Sequence, residues 1–168
     1  MQADTATCTF VLVLLAVFFW TGTGWCQAAP ADGMPSREYR IKAAFLHKFR
    51  HFVDWPAPPD DHTAESQIAI VGADPFGRAF EALDGTRRGP RKTVLRVRRY
   101  STVKDMLEAD TAHYRLAFLA VGNGEDLRQA LSILRDKAVL TVGEQDGFLK
   151  AGGMIRLVTV ENKVRWEI

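Results

Sequence analysis

The sequence predicts an α/β protein: a mainly parallel sheet with helices on both faces and a C-terminal antiparallel hairpin, an α/β sandwich. Three observations carry that prediction. Short apolar runs, IAIVG (Ile68 to Gly72), LAFLAV (Leu116 to Val121) and AVLTVG (Ala138 to Gly143), suit strands buried on both faces. Helical patterns lie between them, and strands alternating with helices imply a parallel sheet. The chain then runs through GGMIRLVTVENKVRWEI, two strands joined by a tight turn around Glu161 to Lys163.

The N-terminus stands apart. No Asp, Glu, Lys or Arg occurs between Asp4 and Asp32, and the gap holds TFVLVLLAVFFW followed by TGTGWCQAAPA. An apolar run and then small residues read as a secretory signal peptide over 1–31, cleaved near Ala28 to Ala31. The run is shorter than the roughly 20 apolar residues of a bilayer span. Asp4 stands where a basic n-region is usual, so an uncleaved membrane anchor is the rival reading. The remainder, 32–168, has room for one domain. Both cysteines, Cys8 and Cys26, lie in the leader. The mature part therefore has no disulfide, thiolate ligand or cysteine nucleophile. With 22 basic and 20 acidic side chains in the whole chain, charge alone does not argue for nucleic acid.

In the mature part, Ser36 is placed to cap a helix with Glu38 in its first turn. Ile41, Phe45, Phe49, Phe52 and Val53 recur at helical spacing, an apolar stripe expected to dock on the sheet. Arg40, Lys42, Lys48 and Arg50 lie largely off it. Trp55 is expected to cover an edge of the core, and Pro56, Pro58 and Pro59 end the helix. After IAIVG, Asp74 is placed to cap a helix PFGRAFEAL with Pro75 in its first position and Gly85 at its end. A basic run leads into a strand from about Thr93 to Arg99. Val103 to Ala109 is a short helix. The helix EDLRQALSILRDK puts Leu127, Leu131 and Leu134 on one face.

Several constellations are of types that can carry chemistry. His47 and His51 are four apart on one helix face, but Lys48 replaces the Glu of HExxH and no third ligand is marked. Their reading is a polar helix face, with no metal. The turns Gly72 to Gly77 and Gly122 to Gly124 follow strands but lack both phosphate-binding fingerprints, and acidic residues stand in them. Arg87, Arg88, Arg91, Lys92, Arg96, Arg98 and Arg99 crowd a short span with only Tyr100 as aromatic company, which reads as a solvated basic edge strand and not a nucleic-acid site. No serine has a GxSxG context and no carboxylate pair marks an acid–base site. Neither an enzyme nor a cofactor is predicted.

The order of motifs is more specific. YRIKAAFLHKFRHFVDWP, IAIVGADPFG, GTRRGPRKTVLRVRR, LAFLAVG, AVLTVGEQDGFLKAGGMIRLV and VRWEI follow one another from Tyr39 onward. This series resembles the YfiR-like family of exported bacterial proteins. The matching positions are Lys42, Phe45, Trp55, Pro56, Gly72, Asp74, Pro75, Phe76, Gly77, Gly153, Met154, Ile155 and Glu167. The resemblance implies an α/β sandwich in the periplasm. It also implies a repressor that binds the periplasmic sensor domain of an inner-membrane signalling protein, such as a GGDEF diguanylate cyclase. An outer-membrane lipoprotein would sequester it and so release cyclic-di-GMP synthesis and biofilm formation. A homodimer is a further option.

Two departures bear on this. The best-known member has disulfides and this mature chain has no cysteine, so redox control is not expected. Family members continue past the strand matching VRWEI with an Asn and a further helix, whereas this sequence stops at Ile168. An absent amphipathic helix would leave apolar sheet surface uncovered and lower stability. Arg96 and Arg98 on the basic strand, with Arg156 and Arg165 on the hairpin, are the expected contacts to an acidic partner face. The alternative is a periplasmic small-ligand binder. Its site would lie at the carboxyl ends of the strands, near Gly72 to Gly77 and Gly122 to Gly124.

Overall fold

The computed structural model describes residues 35–56, 65–81, 83, 87–88, 93–109 and 113–168. The leader, Gly85, Arg91, Lys92, Pro58 and Pro59 lie outside them. Residues from Met34 onward form one compact unit. Among the described residues, no helix is long and apolar enough to cross a membrane.

The elements are α1 (Arg37–Phe52), β1 (Glu65–Gly72), a 3-10 turn (Gly77–Phe80), β2 (Arg87–Arg88), β3 (Thr93–Tyr100), α2 (Val103–Glu108), β4 (Tyr114–Ala120), α3 (Gly124–Leu134), β5 (Leu140–Gly143), β6 (Ile155–Val160) and β7 (Lys163–Glu167). They build one seven-stranded sheet in the order β2-β3-β1-β4-β5-β6-β7. The pairs β3–β1, β1–β4, β4–β5 and β5–β6 are parallel, while β2 and β7 are antiparallel edges. The α/β sandwich predicted from the apolar runs is the observed fold.

Strand alternation divides the core in two. Ile68, Ile70, Leu95, Leu116, Phe118, Val142, Ile155 and Leu157 face α1 and the 3-10 turn, where Ala43, Leu46, Phe76 and Phe80 meet them. Ala69, Val71, Ala117 and Leu119 face the other way, toward Met106 of α2, Leu127, Leu131 and Leu134 of α3, and Phe148. The register shifts between Gln67 and Ile68, which pair with Tyr114 and Leu116. Arg115 is the extra residue, and the shift turns Tyr114 to the α2–α3 face.

Local chemistry explains most boundaries. The Ser36 hydroxyl accepts from the Tyr39 amide, the Thr102–Asp105 pair forms a capping box, and Asn123 accepts from the Asp126 amide. Glu161 and Asn162 both have positive φ, which makes the β6–β7 turn a primed hairpin turn.

Three sequence expectations need correction. The face that α1 buries is centred on Lys42, Ala43, Leu46 and Arg50, not on the Ile41/Phe45/Phe49/Phe52/Val53 stripe. Ile41 is 36% and Phe52 81% exposed. Small Ala43 lets the helix lie close to the sheet, and ion pairs accommodate Lys42, so apolarity alone did not set the docked face. The helix PFGRAFEAL shrinks to the Gly77–Phe80 turn, because Gly77 at φ +46 leaves the right-handed region at the start. Asp74 caps no α-helix; it accepts from the Phe76 amide at 2.7 Å in a local turn. Trp55 is half-buried and belongs to neither core cluster. Its Nε1–H donates to the Arg50 carbonyl at 2.8 Å, so it closes the C-terminal end of α1.

Candidate functional site

The densest polar cluster ties α1 to the ends of β5 and β6. Lys42 is only 3% exposed. Its Nζ lies 2.5 Å from Glu38 Oε1, one turn back, and 3.1 Å from Glu144 Oε1, just past β5. It also sits 4.8 Å from the centre of the Tyr39 ring. The Tyr39 hydroxyl donates to Glu144 Oε2 at 3.2 Å, and Thr159 Oγ1 donates to Glu38 at 2.7 Å. Burial by itself would lower the Lys42 pKa, but hydrogen bonds to Glu38 and Glu144 outweigh it and the value is raised. Hydrogen bonds from Lys42 and Thr159 lower the pKa of Glu38. Burial, then the Glu144 charge, raises that of Tyr39. The cluster fastens a helix and is closed to solvent at its lysine, which makes it a support for a surface and not the surface itself.

The four arginines expected to meet a partner fall into two places. Leu95 and Val97 point to the α1 face, so Arg96 and Arg98 project from the α2–α3 face of β3. Arg96 reaches Glu65 at 3.5 Å, while Arg98 is exposed. β2 pairs only with Thr93 and Val94, leaving the rest of that edge of β3 without a strand neighbour among the described residues. Arg156 and Arg165 also project from the α2–α3 face, but β1, β4 and β5 separate Arg156 from β3, and β6 also stands between β3 and Arg165. At about 4.8 Å per strand, Arg156 lies roughly 19 Å and Arg165 roughly 24 Å from β3. They do not form one site. Arg156 is moreover engaged: it pairs with Asp146 and, at 3.3 Å, with Glu167. Arg165 is exposed.

The motif residues divide into supports and surface. Phe76 is fully buried between Tyr39, Phe80 and Phe118, with Pro75 half-buried beside it. Asp74 Oδ2 accepts from Arg99 Nε at 2.7 Å, and the Gly77 carbonyl accepts from the same guanidinium at 2.9 Å. Gly72, at φ +95, has the Ala120 carbonyl oxygen 2.3 Å from where a Cβ would stand. Gly153 leaves room for the Phe148 ring; Met154 is 43% exposed and Ile155 is in the core. Pro56 is exposed and its carbonyl accepts from Arg115 at 3.4 Å. Phe45 is half-buried and stacks on Phe49 at 5.9 Å.

At the crevice expected for a small ligand, the chain closes in beside Gly72, while the positions beside Gly77 and Gly122 face open space. From β1 the chain moves to β3 on one side, then through β4 to β5 on the other, so the ends of β1 and β4 mark the switch point of the sheet. There the Ala73 amide donates to Ala120 O at 3.3 Å, Gly72 abuts the same carbonyl, and Asp74 is held by Arg99. His47 and His51 stack edge to face at 5.3 Å, and no group of three or more His, Cys, Asp or Glu gathers among the described residues.

One surface was not read from the sequence. Trp166 on β7 is 49% exposed and meets the half-buried Phe49 of α1 at 6.3 Å; Phe52 and Ile168 are exposed at 81% and 83%. The alternation Val164, Trp166, Ile168 was visible, but nothing local says that it lies on the last strand of the sheet among the described residues. A family model for the YfiR/HmsC-like proteins matches residues 39–168, the whole of this sheet and α1 from Tyr39 on. The chain belongs to the YfiR/HmsC-like family. A search of curated proteins finds no match. As a YfiR/HmsC-like protein, this chain is a member of a family of periplasmic regulators, associated with signalling partners rather than with catalysis. The motifs quoted for the resemblance all fall within the matched span, and most of their residues brace α1, the β1 turn or the β5–β6 loop.

Proposed function

We propose that this chain is a periplasmic, non-catalytic regulator. It binds the periplasmic sensor domain of an inner-membrane diguanylate cyclase and holds the enzyme inactive. The observation that carries the reading is the family match over residues 39–168. Two features of the surface support it. Beside the switch point of the sheet, the Gly72 turn packs on the Ala120 carbonyl and Asp74 is engaged by Arg99. Charged and apolar groups are instead displayed on the outside: Arg98 and Arg165 are exposed cations, and Phe52, Trp166 and Ile168 are exposed apolar side chains. Arg96 and Arg98 steer an acidic partner face. Arg156 orders the hairpin through Asp146 and Glu167. An outer-membrane lipoprotein that removes the chain from the cyclase would complete the switch.

The test is done in cells that make the full chain. Deleting it should raise cyclic-di-GMP, and the tagged chain should retain a membrane protein with a GGDEF domain after crosslinking. A folded chain that retains no membrane protein, with cyclic-di-GMP unchanged by its deletion, would sink the proposal.

A further inference from the structure

α1 turns a basic ridge away from the sheet. Its buried residues, Lys42, Ala43, Leu46 and Arg50, share one side of the helix, which packs on the 3-10 turn, β4 and β7. Arg37, Ile41, Ala44 and Lys48 follow one another at intervals of four, three and four residues. At 3.6 residues per turn they form the ridge opposite that side. All four are exposed, and Arg40 is exposed beside them. Together with Phe45 these residues line one patch of surface. Its charge is of one sign. No acidic side chain occurs between Glu38 and Asp54, and Glu38 stands on the flank toward β6, held by Lys42 and Thr159. The ridge is also distinct from the surface bordering β7, roughly a third of a turn away, where Phe49 meets Trp166.

We propose that this ridge rests on an anionic phospholipid surface. The inference rests on the reading given above, a regulator of an inner-membrane enzyme, for the membrane concerned. Arg37, Arg40 and Lys48 span roughly 16 Å along the helix and can each meet a lipid phosphate, the arginines with two N–H groups at once. Between them stand Ile41 and Ala44. Small Ala44 lets the helix lie close to the headgroups, and Ile41 reaches the boundary of the acyl chains. Cations flanking a short apolar centre on one helix face are the pattern of a helix that lies in the plane of a membrane surface. A ridge that protrudes from the domain also fits a flat surface. With so little apolar area the association is peripheral and electrostatic, so it is reversible and sensitive to salt. It leaves the basic strand free. Arg96 and Arg98 project from the opposite face of the sheet, so a chain resting on lipid through α1 still presents them to a protein partner.

The test uses the full chain carrying Cys8→Ser and Cys26→Ser, with Ala44→Cys labelled by an environment-sensitive dye. Vesicles of phosphatidylcholine and phosphatidylglycerol should shift its emission to the blue, and vesicles of phosphatidylcholine alone should not. Salt at about 1 M, where the Debye length is about 3 Å, should abolish the shift. A dye at Arg98→Cys, across the sheet, should stay unchanged. Arg37→Gln, Arg40→Gln and Lys48→Gln should each weaken binding about fivefold, with unchanged far-UV circular dichroism. The leader has no charged side chain between Asp4 and Asp32, so any binding of its own does not follow lipid charge. A dye at position 44 that ignores anionic vesicles, or that responds equally to neutral ones, would overturn the proposal. No cyclase is present in this assay, so its failure is distinguishable from a failure of the cyclic-di-GMP test.

Discussion

The Lys42 ammonium on α1 lies 3.1 Å from Glu144 Oε1 just beyond β5, and the lysine is almost fully buried. A cation in this position holds two carboxylates that would otherwise repel each other. Lys42→Met keeps the apolar stem and removes the charge. It should destabilise the fold by about 2 kcal/mol, less than for a fully enclosed pair because Glu38 and Glu144 keep partial access to water. Urea unfolding measures this; an unchanged midpoint would mean that the cluster contributes nothing to docking α1.

The same cluster sets a pH window. The Glu38 pKa is lowered from 4.5, so its contribution is present above 4.5 and lost as pH falls through the folded value. The Lys42 pKa is raised from 10.5, so its contribution is present below 10.5 and lost as pH rises through the folded value. Thermal melts across pH should show both limbs. In Glu38→Gln the acid limb should flatten, and an acid limb identical to wild type would contradict the assignment.

Gly153 and Gly143 both give way to Phe148. A Cβ on Gly153 would stand 2.1 Å from the ring, and one on Gly143 would stand 2.5 Å from it. Gly153→Ala should cost about 2–3 kcal/mol, as overpacking in a closed core does. Phe148→Leu in that background should recover part of the loss. Additive costs in the double variant would show that the clash is not with this ring.

Trp55 acts at a helix end. Trp55→Phe keeps a ring near Arg115 and loses the bond to the Arg50 carbonyl, which should cost about 1 kcal/mol. Trp55→Ala also removes the stacking surface under the guanidinium, 5.7 Å from the ring centre, for about 2 kcal/mol in total. Equal melting of Trp55→Phe and wild type would show the hydrogen bond to be dispensable.

The arginine reading separates by position. Arg98→Glu should change stability by less than about 0.5 kcal/mol and weaken capture of the membrane partner. Arg156→Ala should lower stability, because Asp146 and Glu167 lose their shared cation. If Arg98→Glu leaves capture intact, the basic strand is not the contact.

The sequence alone determined the layers of this protein. Runs such as IAIVG and LAFLAV are short, apolar and bounded by glycine or polar residues, the pattern of strands covered on both faces. Caps at Ser36, Thr102 and Asn123 and the turn at Glu161–Asn162 act within a few residues, so they too were legible. Tertiary structure decided which side of α1 is buried, because the choice depends on Glu144, more than 100 residues away, closing an ion pair with Lys42. It decided that Gly77 ends a helix before it starts. It also decided that Arg96 and Arg98 stand across the sheet from Arg156 and Arg165, and that Trp166 stands on the last strand of the sheet among the described residues, against Phe49 of α1. These are matters of strand order, and strand order is set by long-range pairing that no local pattern of residues encodes.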